Sequence, residues 1–288
     1  MAKKSKTPKI CYDRVIPASL LDPREREARE ALVRQYVAAV DKTAKGGKEF
    51  AHRAFSVHAP NTLSADHPVH IARMALIDRN KWENGYKLRC RFLDGSKMQR
   101  RKVEAKAHLW EKYANIKIVF GENADAEVRI SFQADDGSWS ALGRDCLNAS
   151  YFPKYQPTMN FGWLKDDTDS TEYERVVVHE FGHALACIHE HQSPSEKLKW
   201  DKAAVYKEFS GPPNYWKKED IDSNVLEKYS PKGITYTRFD LQSIMLYQFD
   251  ASLFTDKKGT PENTHLSVMD KQMIGQMYPK TTAAPGGR

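Results

Sequence analysis

One short stretch, HEFGHALACIHEH at residues 179–191, constrains this chain more than any other, because it places four histidines and two glutamates in thirteen positions. The apolar residues 176–178 precede it, which predicts a helix buried in the core rather than a charged surface helix. In such a helix His179 and His183 project from the same face, one turn apart. Two imidazoles at this spacing can bind one zinc ion, and Glu180 is placed to take a proton from water at that ion.

His189 follows His183 by six residues and therefore cannot lie on the same helical face. The helix must end between them so that the chain can turn back. Three imidazoles and a water molecule would then give the open tetrahedral arrangement of a catalytic zinc ion. Glu190 and His191 are interpreted as ordinary polar residues and not as ligands. The prediction is one zinc ion held by His179, His183 and His189.

The composition is that of a globular protein, with 40% hydrophobic and 11% aromatic residues among 288. No stretch approaches the roughly 18 consecutive apolar residues of a membrane span. The net charge of +7 is concentrated partly at the N-terminus, where four of the first nine residues are lysine, and elsewhere acidic and basic residues mix. We interpret the N-terminus as a solubilising basic tail and do not expect nucleic acid as a partner.

Two further features bear on the compartment. The basic N-terminus is not followed by the apolar segment of a secretory signal peptide, so a cytoplasmic location is the default expectation. The four cysteines are widely separated and form no CxxC pair, so we expect reduced thiols rather than a disulfide framework.

Three segments are predicted along the chain. Residues 1–78 form an N-terminal extension with a basic tail and a helix over 22–44, residues 79–280 form the main domain, and residues 281–288 form a disordered tail. From about residue 80, alternating polarity and helical spacing predict a β/α pattern. Its strands are expected in 86–94, 116–120, 126–132, 137–143 and 157–164. Its helices are expected in 97–114, from about Ser170 into the histidine motif, and in 266–278.

Two motifs in this order resemble a known family. HEFGHALACIHE resembles the metzincin zinc signature HExxHxxGxxH, followed by the glutamate that is typical of astacins, and FDLQSIMLYQF at 239–249 resembles the astacin Met-turn. Three weaker matches keep the family order, namely WENGYKLRCRF, GSWSALGR and the closing LSVMDKQMIGQMYP. The resemblance covers about residues 80–280.

The resemblance implies a metzincin-like zincin fold of the α+β class. Its upper part would be a twisted mixed β-sheet backed by two helices, the second of which carries His179 and His183. Its lower part would be a mostly irregular C-terminal subdomain that ends in a helix. Metzincin substrates lie extended along an edge strand, and the segment AEVRISF at 126–132 is our candidate for that strand.

The resemblance also implies a zinc-dependent endopeptidase that acts on protein or peptide substrates. Glu180 would be the general base, Met245 would lie beneath the zinc site, and Tyr247 would hydrogen-bond the oxyanion that develops on the substrate. Metzincins are commonly made as inactive precursors, so residues 1–78 are a candidate inhibitory pro-segment. Its candidate zinc donors are Cys11, Asp66, His67 and His70.

Three positions depart from the astacin pattern. Ala186 occupies a position that is normally glycine, and a positive φ there would cost on the order of 1 kcal/mol relative to glycine. Leu246 replaces the usual histidine of the Met-turn, and Ser138 stands where astacins have a disulfide cysteine. The sequence contains neither the calcium-binding glycine repeats of serralysins nor the PRCGxPD motif of matrixin propeptides.

Two alternatives belong to other functional classes. The first is an HExxH hydrolase that uses a downstream glutamate as its third zinc ligand, which His189 and the Met-turn argue against. The second is a non-catalytic, basic, zinc-containing binding protein, which would not need Glu180.

Overall fold

A mixed β-sheet is the frame of the fold in the computed structural model, which describes residues 12–14, 80–211, 215–228 and 238–280. The predicted helix over 22–44, the candidate zinc donors of the N-terminal extension and the predicted disordered tail lie outside these described residues. Among the described residues the sheet has six strands: β1 (Tyr12–Arg14), β2 (Lys87–Phe92), β3 (Lys117–Phe120), β4 (Val128–Ser131), β5 (Ser138–Ala141) and β6 (Met159–Phe161).

The spatial order of the strands is β1-β5-β6-β4-β2-β3. β5 runs antiparallel to β6, whereas every other pair of neighbouring strands is parallel. Strands β2 to β6 fall inside the five segments predicted from alternating polarity. The mixed sheet of the α+β prediction is thereby confirmed.

The prediction that AEVRISF forms an edge strand is wrong. β4, which comes from this segment, lies between β2 and β6 and is buried along its whole length. The two charged residues of the segment are satisfied internally. Glu127 accepts hydrogen bonds from the main chain and guanidinium of Arg89, and Arg129 donates to the carbonyl oxygens of Gln156 and Phe152.

The strand next to β5 comes from the predicted N-terminal extension. β1 pairs with β5 in parallel, with Tyr12 opposite Trp139 and Arg14 opposite Ala141. A segment of the extension therefore adds a strand to the sheet and occupies the outer side of β5.

Two helices pack on the sheet, as predicted: α1 (Lys97–Ala107) and α2 (Ser170–Ala184). α1 begins with a capping box in which Ser96 accepts from the Gln99 main chain and the Gln99 side chain accepts from the Ser96 main chain. It is shorter than the predicted helix over 97–114, whose last part forms a separate 3-10 turn at Trp110–Lys112. The buried indole of Trp110 donates to the carbonyl oxygen of Val178 and joins this turn to α2.

Among its described residues, the lower part of the domain contains three further α-helices, α3 (Lys202–Ser210), α4 (Lys218–Ile221) and α5 (Val268–Met277), and a π-helix at Asp222–Leu226 directly after α4. The sequence predicts α5 but not α3, α4 or the π-helix. Long connections separate these elements, so the lower part is mostly irregular, as predicted.

Cys90, Cys146 and Cys187 are buried free thiols. For these three cysteines the expectation of reduced thiols is confirmed. Within the described part of the chain, no helix combines the length and the apolar character that crossing a bilayer requires.

Candidate metal centre

The helix that carries the histidine motif, α2, is fixed at its N-terminus by Asp169. Its side chain accepts from the main-chain N–H groups of Thr171 and Glu172 at 2.8 and 2.9 Å, so the cap lies one residue before the predicted start. From residue 176 to residue 184 every side chain of α2 is buried. The motif therefore lies inside the core, as its apolar flank predicted.

Ala186 makes the turn that ends α2. Its φ is +69°, and it is the left-handed residue of a Schellman motif. The N–H of Cys187 donates to the carbonyl oxygen of Gly182 at 2.9 Å, and that of Ala186 donates to the carbonyl oxygen of His183 at 2.8 Å. Ala186 thus has the positive φ whose cost the sequence analysis considered. The methyl group fits because the facing residue is Gly143, where an added Cβ would lie only 3.0 Å from the Cβ of Ala186.

The turn brings the three predicted ligands together. One ligand atom each from His179, His183 and His189 lie within 4.8 Å of one another, and all three residues are buried. The Nε2 atom of His183 is 3.1 Å from that of His179 and 2.9 Å from that of His189. Nitrogens about 2.0–2.1 Å from a tetrahedral zinc ion are roughly 3.3 Å apart, so the spacing suits that ion.

The hydrogen bonds of the rings show that the site fits a cation. The Nδ1 atom of His179 donates to the carbonyl oxygen of Ile244 at 2.8 Å, and that of His183 donates to the carbonyl oxygen of Cys187 at 2.9 Å. In these tautomers both Nε2 atoms carry lone pairs, which face each other. Two acceptors at such a distance repel unless a positive ion lies between them.

Burial keeps the imidazoles in the metal-binding form. It holds the pKa of His179 and the pKa of His189 well below their usual range, and the neighbouring His183 lowers both pKa values further. A neutral imidazole is the form that ligates a metal.

Of the two predicted catalytic residues, Tyr247 contacts this cluster directly. Glu180 follows the first ligand on α2 and is completely buried. The hydroxyl of Tyr247 is 2.5 Å from the Nε2 atom of His189, and the two rings are 4.3 Å apart between centroids. The hydroxyl of Thr260 donates to the carbonyl oxygen of Tyr247, which holds the main chain at this residue.

Met245 packs directly under the helix turn that carries the first two ligands. An added Cβ at Gly182 would lie 2.4 Å from the sulfur of Met245, so only glycine leaves room for this contact. The Met-turn is also held by Asp270 of α5, which accepts from the hydroxyl of Ser243 at 2.7 Å and from the main chain of Ile244 at 2.8 Å. Sequence reasoning missed Gly182 and Asp270 as supports of the site, because neither residue type indicates a metal site by itself.

Glu190 and His191 are outside the ligand set, as predicted. Glu190 accepts from the main chain of Asp240 at 2.7 Å, and burial together with the carboxylates of Asp270 and Asp240 raises the pKa of Glu190 to about 8. His191 bonds through Nε2 to the carbonyl oxygen of Asn224, and burial lowers the pKa of His191 to about 4. Both side chains hold the lower part of the domain together around the third ligand.

Three solved structures illustrate what the chain is similar to. One structure of myroilysin is 41% identical, covers 72% of this chain and 98% of its own, and has a TM-score of 0.69. A second structure of myroilysin is 42% identical, covers 70% of this chain and 86% of its own, and has a TM-score of 0.56. High choriolytic enzyme 1, a hatching enzyme zinc-protease from the medaka Oryzias latipes, is 16% identical, covers 70% of this chain and 95% of its own, and has a TM-score of 0.47. No family model and no curated protein matches the chain.

A mixed sheet above a buried histidine triad, with a methionine beneath it, is the arrangement of the metzincin zinc metallopeptidases. At 41% identity over 98% of one myroilysin chain, this chain belongs to the astacin-type metzincins. It is a metalloendopeptidase, its metal is zinc and its substrates are peptides or proteins. The family and the class of enzyme predicted from the two motifs are thereby confirmed.

Proposed function

We propose that this chain hydrolyses peptide bonds at a single zinc ion held by His179, His183 and His189, with Glu180 as general base and Tyr247 as a donor to the oxyanion. One observation carries this function: the Nε2 atoms of three buried imidazoles come together, a tyrosine hydroxyl contacts one of them, and a buried glutamate directly follows the first ligand in the chain. A structural zinc site would not require the last two groups.

Each side chain has a task that its position allows. When bound, the zinc ion supplies Lewis acidity, which polarises the scissile carbonyl and lowers the pKa of water. Glu180 takes the proton from the attacking water and returns it to the leaving amine. The hydroxyl of Tyr247 donates to the oxyanion as negative charge develops on the substrate oxygen. Met245 supports the helix turn between the first two ligands.

The variant Glu180→Gln tests this function. The amide has nearly the same shape but cannot take up the proton, so peptide hydrolysis should fall by about 100- to 10,000-fold. Zinc content and melting temperature should match the wild type. The measurement is turnover of a peptide library together with metal analysis, before and after chelation. A wild type that holds a full complement of zinc and stays inactive even after removal of residues 1–78 would favour the non-catalytic binding protein instead.

The alternative with a glutamate as third ligand has less support. The group of metal-binding side chains found within the described residues consists of the three histidines. Glu190, the nearest glutamate in sequence to His189, accepts a hydrogen bond from the main chain of Asp240.

We further propose that substrate pairs with β5 and that the N-terminal extension, residues 1–78, is inhibitory. Gly143, two residues after β5, lies against Ala186 at the end of the ligand helix, so β5 leads toward the metal centre. A peptide that binds by strand addition needs the side of β5 that β1 occupies. The two would therefore compete.

Removal of residues 1–78 tests the inhibitory role. Turnover of a peptide substrate should rise, and a synthetic peptide that contains residues 8–18 should restore inhibition. Equal turnover by the full chain and the shortened chain, with equal zinc content, would eliminate the inhibitory role but leave the catalytic one intact.

A further inference from the structure

The third ligand, His189, differs from the other two in what holds its ring. The rings of His179 and His183 donate to main-chain carbonyl oxygens and belong to a regular helix. His189 lies after the end of α2, and its Nδ1 atom is 3.3 Å from the side-chain oxygen of Gln192. A side-chain amide can rotate, so it orients a ligand only if it is itself held.

Gln192 is held on its other side. The side chain is 99% buried, and its Nε2 atom donates to the carbonyl oxygens of Ser223 at 2.7 Å and Glu227 at 3.2 Å. The amide thus uses its oxygen for His189 and both its hydrogens for two carbonyls. This pattern leaves one orientation of the amide, since the reverse would set oxygen against oxygen.

The acceptors belong to the π-helix Asp222–Leu226 and the residue after it. In a π-helix the N–H of residue i+5 donates to the carbonyl of residue i, as Glu227 does to Asp222 at 2.8 Å. The later carbonyls of such a single turn lack partners within the helix. Here these carbonyl groups accept hydrogen bonds from the segment that carries the third ligand: besides Gln192, His191 bonds to the carbonyl oxygen of Asn224.

We propose that Gln192 is the positioning residue for His189 and that the π-helix Asp222–Leu226 is its anchor. The helix would then help to orient the third zinc ligand. This inference rests on the proposed binding of zinc by the three histidines. The inference adds Gln192 to the residues that set the affinity for the metal. Its acceptor Ser223 lies 31 positions further along the chain.

The expected effect lies in the release of zinc. An acceptor on Nδ1 fixes the tautomer and ring orientation of a histidine ligand, and loss of such a partner typically weakens metal binding by about 10- to 100-fold. Gln192→Met keeps the length and bulk of the side chain but removes all three hydrogen bonds. Gln192→Glu keeps an oxygen for His189 and removes both bonds to the anchor.

A matched control exists in the upper part of the domain. Gln99 also uses its amide on both sides, since its oxygen accepts from the main chain of Ser96 and its nitrogen donates to the carbonyl oxygen of Leu164 at 2.6 Å. Gln99→Met therefore removes comparable bonds far from the ligands along the chain. It should lower stability without changing the release of zinc.

The experiment measures zinc release from the full chain to an excess of chelator, and the visible spectrum of the cobalt-substituted protein, for the wild type and the three variants. We expect release to be about 10- to 100-fold faster in Gln192→Met, faster to a smaller degree in Gln192→Glu, and unchanged in Gln99→Met. The cobalt spectrum should change only in the Gln192 variants. If Gln192→Met does not fold, the nearly isosteric Gln192→Glu carries the test.

Wild-type release rates and spectra in both Gln192 variants would overturn the inference while the proposed function stands. Equal acceleration in Gln99→Met and Gln192→Met would also overturn it, because the effect would then be one of general stability. A wild type that holds no zinc would instead remove the proposed function itself.

Discussion

The two halves of the catalytic domain are built differently. Residues 80–184 form a sheet and two helices, whose main-chain groups bond to one another in regular ladders. In the described residues of 185–280, the main chain around the metal centre is held by hydrogen bonds from individual side chains. Asp270 accepts from the main chain of Ile244. The hydroxyl of Thr260 accepts from the N–H of Phe249 and donates to the carbonyl oxygen of Tyr247, and Gln192 donates to two carbonyl oxygens.

The metal centre contains residues from both halves, and these residues are held in place by different kinds of contact. Two ligands and Glu180 are on the regular helix α2, whereas His189 and Tyr247 belong to the irregular half. In a regular ladder the effect of a substitution is spread over many hydrogen bonds, so we expect the substitution to change the free energy of unfolding. A substitution in the irregular half removes a single support, so we expect it to change the metal or the reaction directly.

The largest effect is expected for His189→Ala, which removes the one ligand from the irregular half. Two imidazoles on α2 should retain zinc poorly, so most of the metal and essentially all peptide hydrolysis should be lost. Metal analysis after dialysis provides the measurement. His265→Ala removes an exposed histidine of the same half and should retain one zinc ion per chain. Full zinc occupancy in His189→Ala would mean that another residue is the third ligand.

The next effect concerns the reaction rather than the metal. Tyr247→Phe removes only a hydroxyl, and kcat should fall by roughly 10- to 1,000-fold, the scale of one lost oxyanion donor. Zinc content and melting temperature should change little, because the ring still packs against His189. Steady-state kinetics decide the matter: wild-type kcat would show that the tyrosine only packs, and Tyr247 would then be struck from the catalytic residues.

A third prediction compares one carboxylate from each half. Asp270→Ala leaves the buried N–H of Ile244 and the buried N–H of Ser267 without an acceptor, which should cost about 2–5 kcal/mol of stability and speed the loss of zinc. Asp169→Ala removes the cap of α2 at an exposed position and should cost less, with zinc binding unchanged. Chemical denaturation and chelator kinetics on both variants provide the test. Zinc loss that is as fast in Asp169→Ala would remove the distinction between the halves.

The smallest effect is expected at the boundary between the halves. Ala186→Gly relieves the left-handed backbone and should raise the free energy of unfolding by at most about 1 kcal/mol. Ala184→Gly makes the same substitution two residues earlier, in helical backbone, and should lower the free energy of unfolding by about as much. Thermal melts of the two variants should therefore shift in opposite directions. A shift in the same direction would show that φ at Ala186 is not what decides its stability.

The sequence predicted the regular half better than the irregular half for a physical reason. Alternating polarity and helical spacing repeat, so the strands β2 to β6 and the helix α2 were found within a few residues. No single segment determines the order of the strands, so the edge position expected for residues 126–132 was wrong. The charged residues of this segment, Glu127 and Arg129, are buried. Their partners, Arg89 and two carbonyl groups, come from elsewhere in the chain.

The ligands themselves were predictable because all three lie within eleven residues of one another. Their supports were not, because Gln192, Asp270 and Gly182 become recognisable only when distant segments meet. The sequence does not predict the helices α3 and α4 or the π-helix, since short helices between prolines and glycines give little periodic pattern.

The position of β1 also has a consequence for the behaviour of the protein in solution. If residues 1–78 are removed, β5 becomes a bare edge whose outward N–H and C=O groups have no partner. Such an edge can pair with a peptide, but it can equally pair with the same edge of another molecule. The shortened protein should thus tend to self-associate at high concentration, and a bound substrate-like peptide should keep it monomeric. The N-terminal segment, a substrate and a second molecule would then compete for the same strand of four residues, and this competition would set both the solubility of the protein and the access of substrate.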